Sequence, residues 1–205
     1  MRCVHEASLY ESNCFLTLTY SPENLPRDGS LNKKHFTDFM KRLRFKYSGH
    51  RIRYFHCGEY GDTTGRPHYH ACLFNFDFPD RKAFKRANSV RLDTSDTLER
   101  LWGHGFCTVG DVSFESAAYV ARYIMKKVTG NAAEDHYTRI NEETGEITVL
   151  QPEYTTMSRR PGIGKEWFDA YQADVFPDDF VIMRGKKMKP PRFYDSIYEI
   201  LDPEH

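Results

Sequence analysis

This chain of 205 residues lacks several things, and each absence excludes a class of protein. Neither sign of charge is in excess: 29 Lys and Arg meet 29 Asp and Glu, so net charge names no partner. A surface for a polyanion must then come from local segregation of charge. The five cysteines, Cys3, Cys14, Cys57, Cys72 and Cys107, are scattered and form no C-x-x-C. That argues against a disulfide framework or a cysteine-type zinc site and fits a reducing compartment. No apolar run approaches the length of a membrane span. No stretch reads as a secretory signal, so the expectation is a cytoplasmic protein. Internal repeats and low-complexity tracts are also missing. Aromatic residues, in contrast, make up 15% of the chain, a rich supply for packing or for stacking on bases. The length fits one domain with a real core, with or without an appendage.

The chain in order gives a coarse architecture. Residues 2–12 read equally as a short helix or a frayed lead-in. Phe15 to Tyr20 alternates apolar and β-branched residues and stops at Ser21-Pro22, as a strand does. A loop follows, then a helix over about 33–47 with Asn32 as N-cap and Phe36, Phe39, Met40, Leu43 and Tyr47 on one stripe. Its other face is basic, and no acid lies between Lys41 and Arg53. This run is either a solvated face or a phosphate-binding one. Ile52 to Glu59 is strand-like, and 61–67 is a hairpin-like connection into a second strand that ends near Phe78-Pro79. Residues 80–96, polar and basic, are expected to be an exposed loop or short helix. A short helix at 97–102 stops at Gly103, a strand runs from Gly105 to Val112, and a helix spans 115–128 behind Ser113 as N-cap. Glu142 to Gly145 reads as a turn between two short strands, and 166–174 as a helix. The end is a basic, proline-bearing stretch. Arg159, Arg160, Lys186 and Lys187 either contact phosphates or belong to a solvated tail. The order strand, helix, hairpin pair, strand, helix is not a repeat of parallel βαβ units. It indicates an α+β fold, an antiparallel sheet with helices on one face.

Two histidines interrupt the apolar run from Arg66 to Phe76. Strand side chains alternate, so His68 and His70 point to one face. They are either packed histidines or two ligands of a metal. The register of the hairpin decides the third ligand. If opposed residue numbers sum to an odd value, Glu59 shares the face; if even, His56 replaces it. Glu59 is preferred, since His56 sits deeper in an apolar strand and reads as a core histidine. Two imidazoles and one carboxylate leave open positions, suited to Mg²⁺ or Mn²⁺ polarising a phosphate oxygen. Zinc is the structural alternative, but no fourth protein ligand is evident.

In the helix at 115–128, Tyr119 and Tyr123 stand one turn apart on one face. Such tyrosines are either core packing or something more. Ala117, Ile124 and Val128, with Val120 and Ala121, can supply the core stripe and leave the tyrosines on a flank. Arg122, Lys126 and Lys127 bring cations nearby, and a phenol beside cations is easier to deprotonate and can act as a nucleophile.

These residues carry a resemblance. His68-Tyr69-His70 is similar to the His-hydrophobe-His motif of HUH endonucleases. Tyr119-Val-Ala-Arg-Tyr123-Ile-Met-Lys126-Lys127 resembles the double-tyrosine motif of rolling-circle replication initiators, and Phe15 to Tyr20 their first strand motif. The runs Gly58 to His70, Phe114 to Lys127 and Ser158 to Lys165 resemble the initiators of gokushovirus-type single-stranded DNA phages of the Microviridae. The resemblance covers nearly the full chain. Members are often longer, and this chain begins close to its first strand, which leaves origin recognition unassigned.

The resemblance implies a ferredoxin-like or RRM-like antiparallel sheet of about five strands, with the HUH pair on a central strand. It implies an endonuclease core over residues 1–132, with a hairpin and basic extension over 133–205. The implied activity is nicking and joining of single-stranded DNA at a phage origin through a 5′-phosphotyrosine. Glu59, His68 and His70 would hold Mg²⁺ or Mn²⁺. Tyr119 and Tyr123 would attack in turn, and Lys126 would position the phosphate or stabilise charge. Arg42, Arg44, Arg66, Arg122 and Lys127 would contact DNA. The implied partners are single-stranded origin DNA and the host replication helicase or polymerase, in the host bacterial cytoplasm. Three other readings remain: an HUH relaxase or transposase, a non-catalytic single-strand binding module, and a structural zinc protein with packed tyrosines.

Overall fold

The structure is a computed structural model, which describes residues 1–87, 90–122, 127–176 and 178–201. The lead-in is a helix, α1 (Arg2–Ala7), followed by β1 (Asn13–Leu18). Next comes α2 (Lys33–Lys46), where the Asn32 side chain accepts from Lys34 N–H and the stripe Phe36, Phe39, Met40 and Leu43 is buried, as its spacing implies. The hairpin is β2 (Arg53–Tyr60) and β3 (Pro67–Phe74).

The stretch 80–96 departs from expectation: it forms a second hairpin, β4 (Lys82–Ala87) and β5 (Val90–Thr94). Its lysines and arginines hide a strand pattern because β4 lies at the sheet edge, where charged side chains are tolerated and deter further pairing. Then follow α3 (Asp96–Trp102), ended by Gly103 at a φ of 71°, β6 (Cys107–Gly110) and α4 (Phe114–Arg122). Ser113 Oγ accepts from Ser116 N–H at 3.1 Å, as its N-cap role requires. Beyond it lie α5 (Ala132–Tyr137), the expected hairpin β7 (Thr138–Ile140) and β8 (Ile147–Val149), then β9 (Tyr154–Met157) and α6 (Lys165–Val175). The basic end adds β10 (Val181–Met183), β11 (Lys186–Met188) and α7 (Arg192–Leu201), none of them expected.

The main sheet has seven strands in the order β4-β5-β6-β1-β3-β2-β9, all its pairs antiparallel. The fold class is α+β, and the strand with both histidines is central, flanked by β1 and β2. The sheet exceeds the expected five strands partly because residues 133–205 supply β9.

Helices cover both faces, not one. On the first, Leu16, Leu18, Tyr69, Ala71 and Leu73 pack against Phe39 and Leu43 of α2 and Trp102 of α3. On the second, Phe55, Cys57, Cys72 and Phe74 pack against Cys3 of α1 and Ala117 and Val120 of α4. Tyr69, the middle residue of the histidine pair, is fully buried on the first face. Its hydroxyl accepts from Asn32 N–H at 2.8 Å, pinning β3 to the start of α2. So one strand faces two layers: odd residues anchor it and the histidines face the other side.

The N-terminal helix is locked to the C-terminal part of the chain. Glu6 and Arg53 form a buried ion pair, and Glu6 Oε2 also accepts from Gly164 N–H at 2.6 Å. His5 stacks on Trp167 at 3.6 Å, and its Nδ1 lies 2.8 Å from the Tyr194 hydroxyl. Burial lowers its pKa from 6.5 to about 4. Between those values the unfolded chain takes up a proton that the folded chain refuses, so stability declines as pH falls across this window. The expected result is a drop in Tm from pH 6.5 to 4 that is smaller in His5→Gln; equal drops would contradict it.

Candidate functional site

The hairpin register brings the site together. Glu59 pairs with His68 and Cys57 with His70, so opposed numbers sum to an odd value. Glu59, His68 and His70 therefore share the second face of the sheet. His56, opposite Ala71, goes to the first face, where it stacks on Phe36 at 3.5 Å with Nδ1 2.7 Å from Thr156 Oγ1. It is a core histidine, and burial pushes its pKa well down.

The three side chains converge closely. His68 Nε2 lies 2.8 Å and His70 Nε2 2.9 Å from Glu59 Oε1, and one ligand atom from each lies within 4.8 Å of the others. The outer ring nitrogens are held too. His68 Nδ1 donates to the Arg66 carbonyl at 3.2 Å. A carbonyl only accepts, so in the neutral ring the proton sits on Nδ1 and the Nε2 lone pair faces Glu59. His70 Nδ1 lies 3.0 Å from Thr17 Oγ1, which can accept the same kind of bond. Such support of the outer nitrogen is typical of metal-ligating histidines.

Electrostatics agree with that donor set. Burial pushes the Glu59 carboxyl up, but the two histidines outweigh it and hold it below the usual carboxylate range. Burial pushes His70 down, and Glu59 offsets this only in part, so the neutral imidazole is favoured. Glu59 Oε1 is buried yet receives no aligned hydrogen bond, as befits a carboxylate oxygen aimed at a cation. The residues fit a divalent metal with two imidazoles, one carboxylate and open positions.

Helix α4 lies over β2 and β3 on this same face. Ala117 and Val120 are buried beneath it, whereas Ala121, expected in the core stripe, is exposed. Tyr119 is 40% exposed. Its ring stands perpendicular to His70 at 5.0 Å and edge-on to Phe15 at 6.4 Å, while Phe15 stacks on His70 at 5.6 Å. The phenol thus borders the most enclosed histidine of the cluster and still faces solvent. Tyr123 and Lys126 lie outside the described residues. Lys127 and Val128 are not helical, against the expectation of a helix to Val128. The Val128 N–H is taken by the Tyr137 hydroxyl at 3.0 Å, which in turn donates to Glu153.

The expected DNA-contacting residues divide. Arg42 and Arg44 are on α2, which covers the face opposite the histidines. Arg42 donates to the carbonyls of Leu101 and Trp102 at 2.7 and 3.1 Å, capping α3, and Arg44 to that of Ile52 at 2.9 Å. Arg66 is in the connection beside His68 and donates to the Tyr20 carbonyl at 2.8 Å. Arg122, at the end of α4, and Lys127 are exposed.

Thr17 and Phe15 were missed by the sequence reading. The signal was present: in β1 they alternate with the buried Cys14, Leu16 and Leu18, and so face the other side. Only the pairing of Thr17 with His70 shows what they serve.

Antiparallel sheet, buried His-Glu cluster and bordering tyrosine define a class of metal-site protein whose sequence relatives are specific. The family model of the ORF2-type replication-associated proteins matches residues 13–128, more than half of the chain, and the chain belongs to that family. It is 34% identical to replication-associated protein VP4 of Bdellovibrio phage phiMH2K, over 100% of this chain and 63% of that protein. It is 35% identical to replication-associated protein ORF2 of Spiroplasma virus 4, over 91% of this chain and 58% of that protein. It is 27% identical to replication-associated protein ORF4 of Chlamydia phage 1, over 97% and 49%. These relatives bear out the resemblance to gokushovirus-type Microviridae and support a role in phage replication. The chain spans about half to two thirds of their length. No solved structure matches it. No helix among the described residues is long and apolar enough to cross a membrane.

Proposed function

We propose that the protein is a replication initiator that nicks and rejoins single-stranded DNA at a phage origin, by tyrosine attack beside a divalent metal. The observation that supports this most is the perpendicular packing of Tyr119 on His70, one of three convergent ligands. Glu59, His68 and His70 would hold Mg²⁺ or Mn²⁺, which supplies Lewis-acid polarisation of a phosphate oxygen when bound. A tyrosine oxygen attacks phosphorus, forming a 5′-phosphotyrosine ester, while the bond to the 3′ oxygen breaks and leaves a free 3′-OH. The phenolic proton balances the leaving oxygen. Tyr119 and Tyr123 are the nucleophiles of the two successive transfers, with Lys126 beside the phosphate. The second transfer reverses the chemistry and closes the strand. Host replication proteins would extend the free 3′-OH in the bacterial cytoplasm.

The test is incubation of the protein with an end-labelled origin oligonucleotide and Mn²⁺, analysed on a denaturing gel. The expected result is cut DNA with a 3′-OH and a slow band of protein-linked DNA, both abolished by a chelator. Cutting without a protein-linked product, or undiminished by chelation, would contradict the proposal. The non-catalytic binding module predicts a shifted native band and no cut at all.

A further inference from the structure

The chain has no net charge, yet its arginines are unevenly placed. A groove of about 800 Å³ opens at the end of the sheet where β2 begins and β9 finishes. Arg44, Arg51, Arg53, Arg159 and Arg160 line it, and no acidic side chain does. Two of these cations are already matched: Arg51 pairs with Glu166 at 2.7 Å, and Arg53 with Glu6. The other three keep their charge. Arg44 donates only to a neutral carbonyl and lies over the Tyr54 ring, 5.5 Å from its centre. Arg159 and Arg160 are exposed, with no acid in contact among the described residues.

Three unpaired guanidinium forks around one groove suit a succession of phosphates. Arg binds phosphate oxygens in pairs and gives up its hydration more readily than Lys. The half-buried Tyr54 ring and the Ser158 hydroxyl beside it add an aromatic face and a polar group. Position matters as much as charge. Arg53 and Glu59 share one face of β2 six residues apart, so the groove lies about 20 Å from the metal cluster. Only β9, the outer strand, lies beyond β2.

We infer that this arginine groove is a second nucleic-acid site, which holds the sugar-phosphate backbone of the single strand several nucleotides from the scissile phosphate. The inference rests on the proposed strand-cutting function for its substrate, but not for its geometry. The groove binds backbone without reading sequence, raises residence of the strand at the metal cluster, and weakens with salt.

The experiment uses the full chain in EDTA, so that no strand is cut, and reads anisotropy of labelled oligothymidylates across a salt series. A long oligothymidylate reaches both cluster and groove; a short one covers the cluster alone. The double variant Arg159→Gln/Arg160→Gln should weaken binding of the long probe and reduce the slope of log K against log salt by about 1.4, two lost contacts at about 0.7 each. The difference should vanish with the short probe. Both residues are exposed, so an unchanged Tm and unchanged Mn²⁺ affinity exclude misfolding as the cause. A wild-type slope in the variant would overturn the inference and leave the groove to an acidic protein segment. Covalent-adduct formation by wild type is read separately. An adduct with an unchanged slope sinks the groove alone, and a reduced slope without an adduct sinks the cutting reaction alone.

Discussion

His70→Ala loses divalent-metal binding and cuts single-stranded DNA about 10³-fold or more slowly than wild type. The size follows from the several kcal/mol of charge stabilisation that a polarising cation contributes, at about 1.4 kcal/mol per decade of rate. His70 is the most exacting of the three ligands to replace. It is buried, held at Nδ1 by Thr17, flanked by Phe15 and bordered by Tyr119, so its ring has one orientation. Thr17→Val keeps the ligand and the shape but removes the partner of Nδ1. Its expected effect is a loss of about 10–100-fold in metal affinity, the usual scale for a supporting hydrogen bond. Mn²⁺ titration followed by electron paramagnetic resonance separates the two variants. Wild-type affinity in His70→Ala would remove the metal site from the account, and wild-type affinity in Thr17→Val would leave the hydroxyl without a role.

The second large effect concerns the tyrosines. Tyr119→Phe/Tyr123→Phe removes both phenolic oxygens and leaves the rings. Nucleophile loss in covalent catalysis costs several decades of rate, on the order of 10⁴-fold or more. The double variant is expected to form no protein-linked DNA on a denaturing gel, while its metal affinity and its binding of uncut DNA stay at wild-type level. That pattern separates a nucleophile from a packing residue. A ring that only packs on His70 keeps its function as Phe, since the lost hydroxyl is at the exposed end of a side chain 40% open to solvent. Each single variant is expected to keep the adduct formed by the other tyrosine and to lose the joining step, because two successive transfers need two acceptors. Rejoining of strands by a single variant at the wild-type rate would show that one tyrosine suffices.

Much of the site was legible in the sequence because strand geometry is strict. Period two places His68 and His70 together, and an odd register was the one condition under which Glu59 joins them. The same parity sends His56 to the opposite face, so the two candidates could be weighed against each other before any coordinates. Thr17 was less legible because its role depends on a partner 53 residues away, and pairing between distant strands leaves no local trace. The hairpin of β4 and β5 was hidden by its charge, since an edge strand needs one buried face at most. The C-terminal region was the least readable part. Its strand β9 and helix α6 draw their stability from the rest of the chain, through β2 and through the contacts of α1 with Trp167 and Gly164, not from a strong pattern of their own. The basic run on α2 shows the opposite error. Its charges are real, but Arg42 is used to cap α3 and the helix covers the face away from the histidines.

The most direct measurement of the central claim is mapping of the covalent link. Wild-type protein is reacted with Mn²⁺ and an origin oligonucleotide, digested with protease and nuclease, and analysed by mass spectrometry for a peptide bearing a nucleotide. The account predicts a phosphodiester on the oxygen of Tyr119 or Tyr123, in the peptide that follows Ser113, and none when the metal is chelated. A nucleotide on any other residue, or cut DNA with no modified peptide, would contradict it.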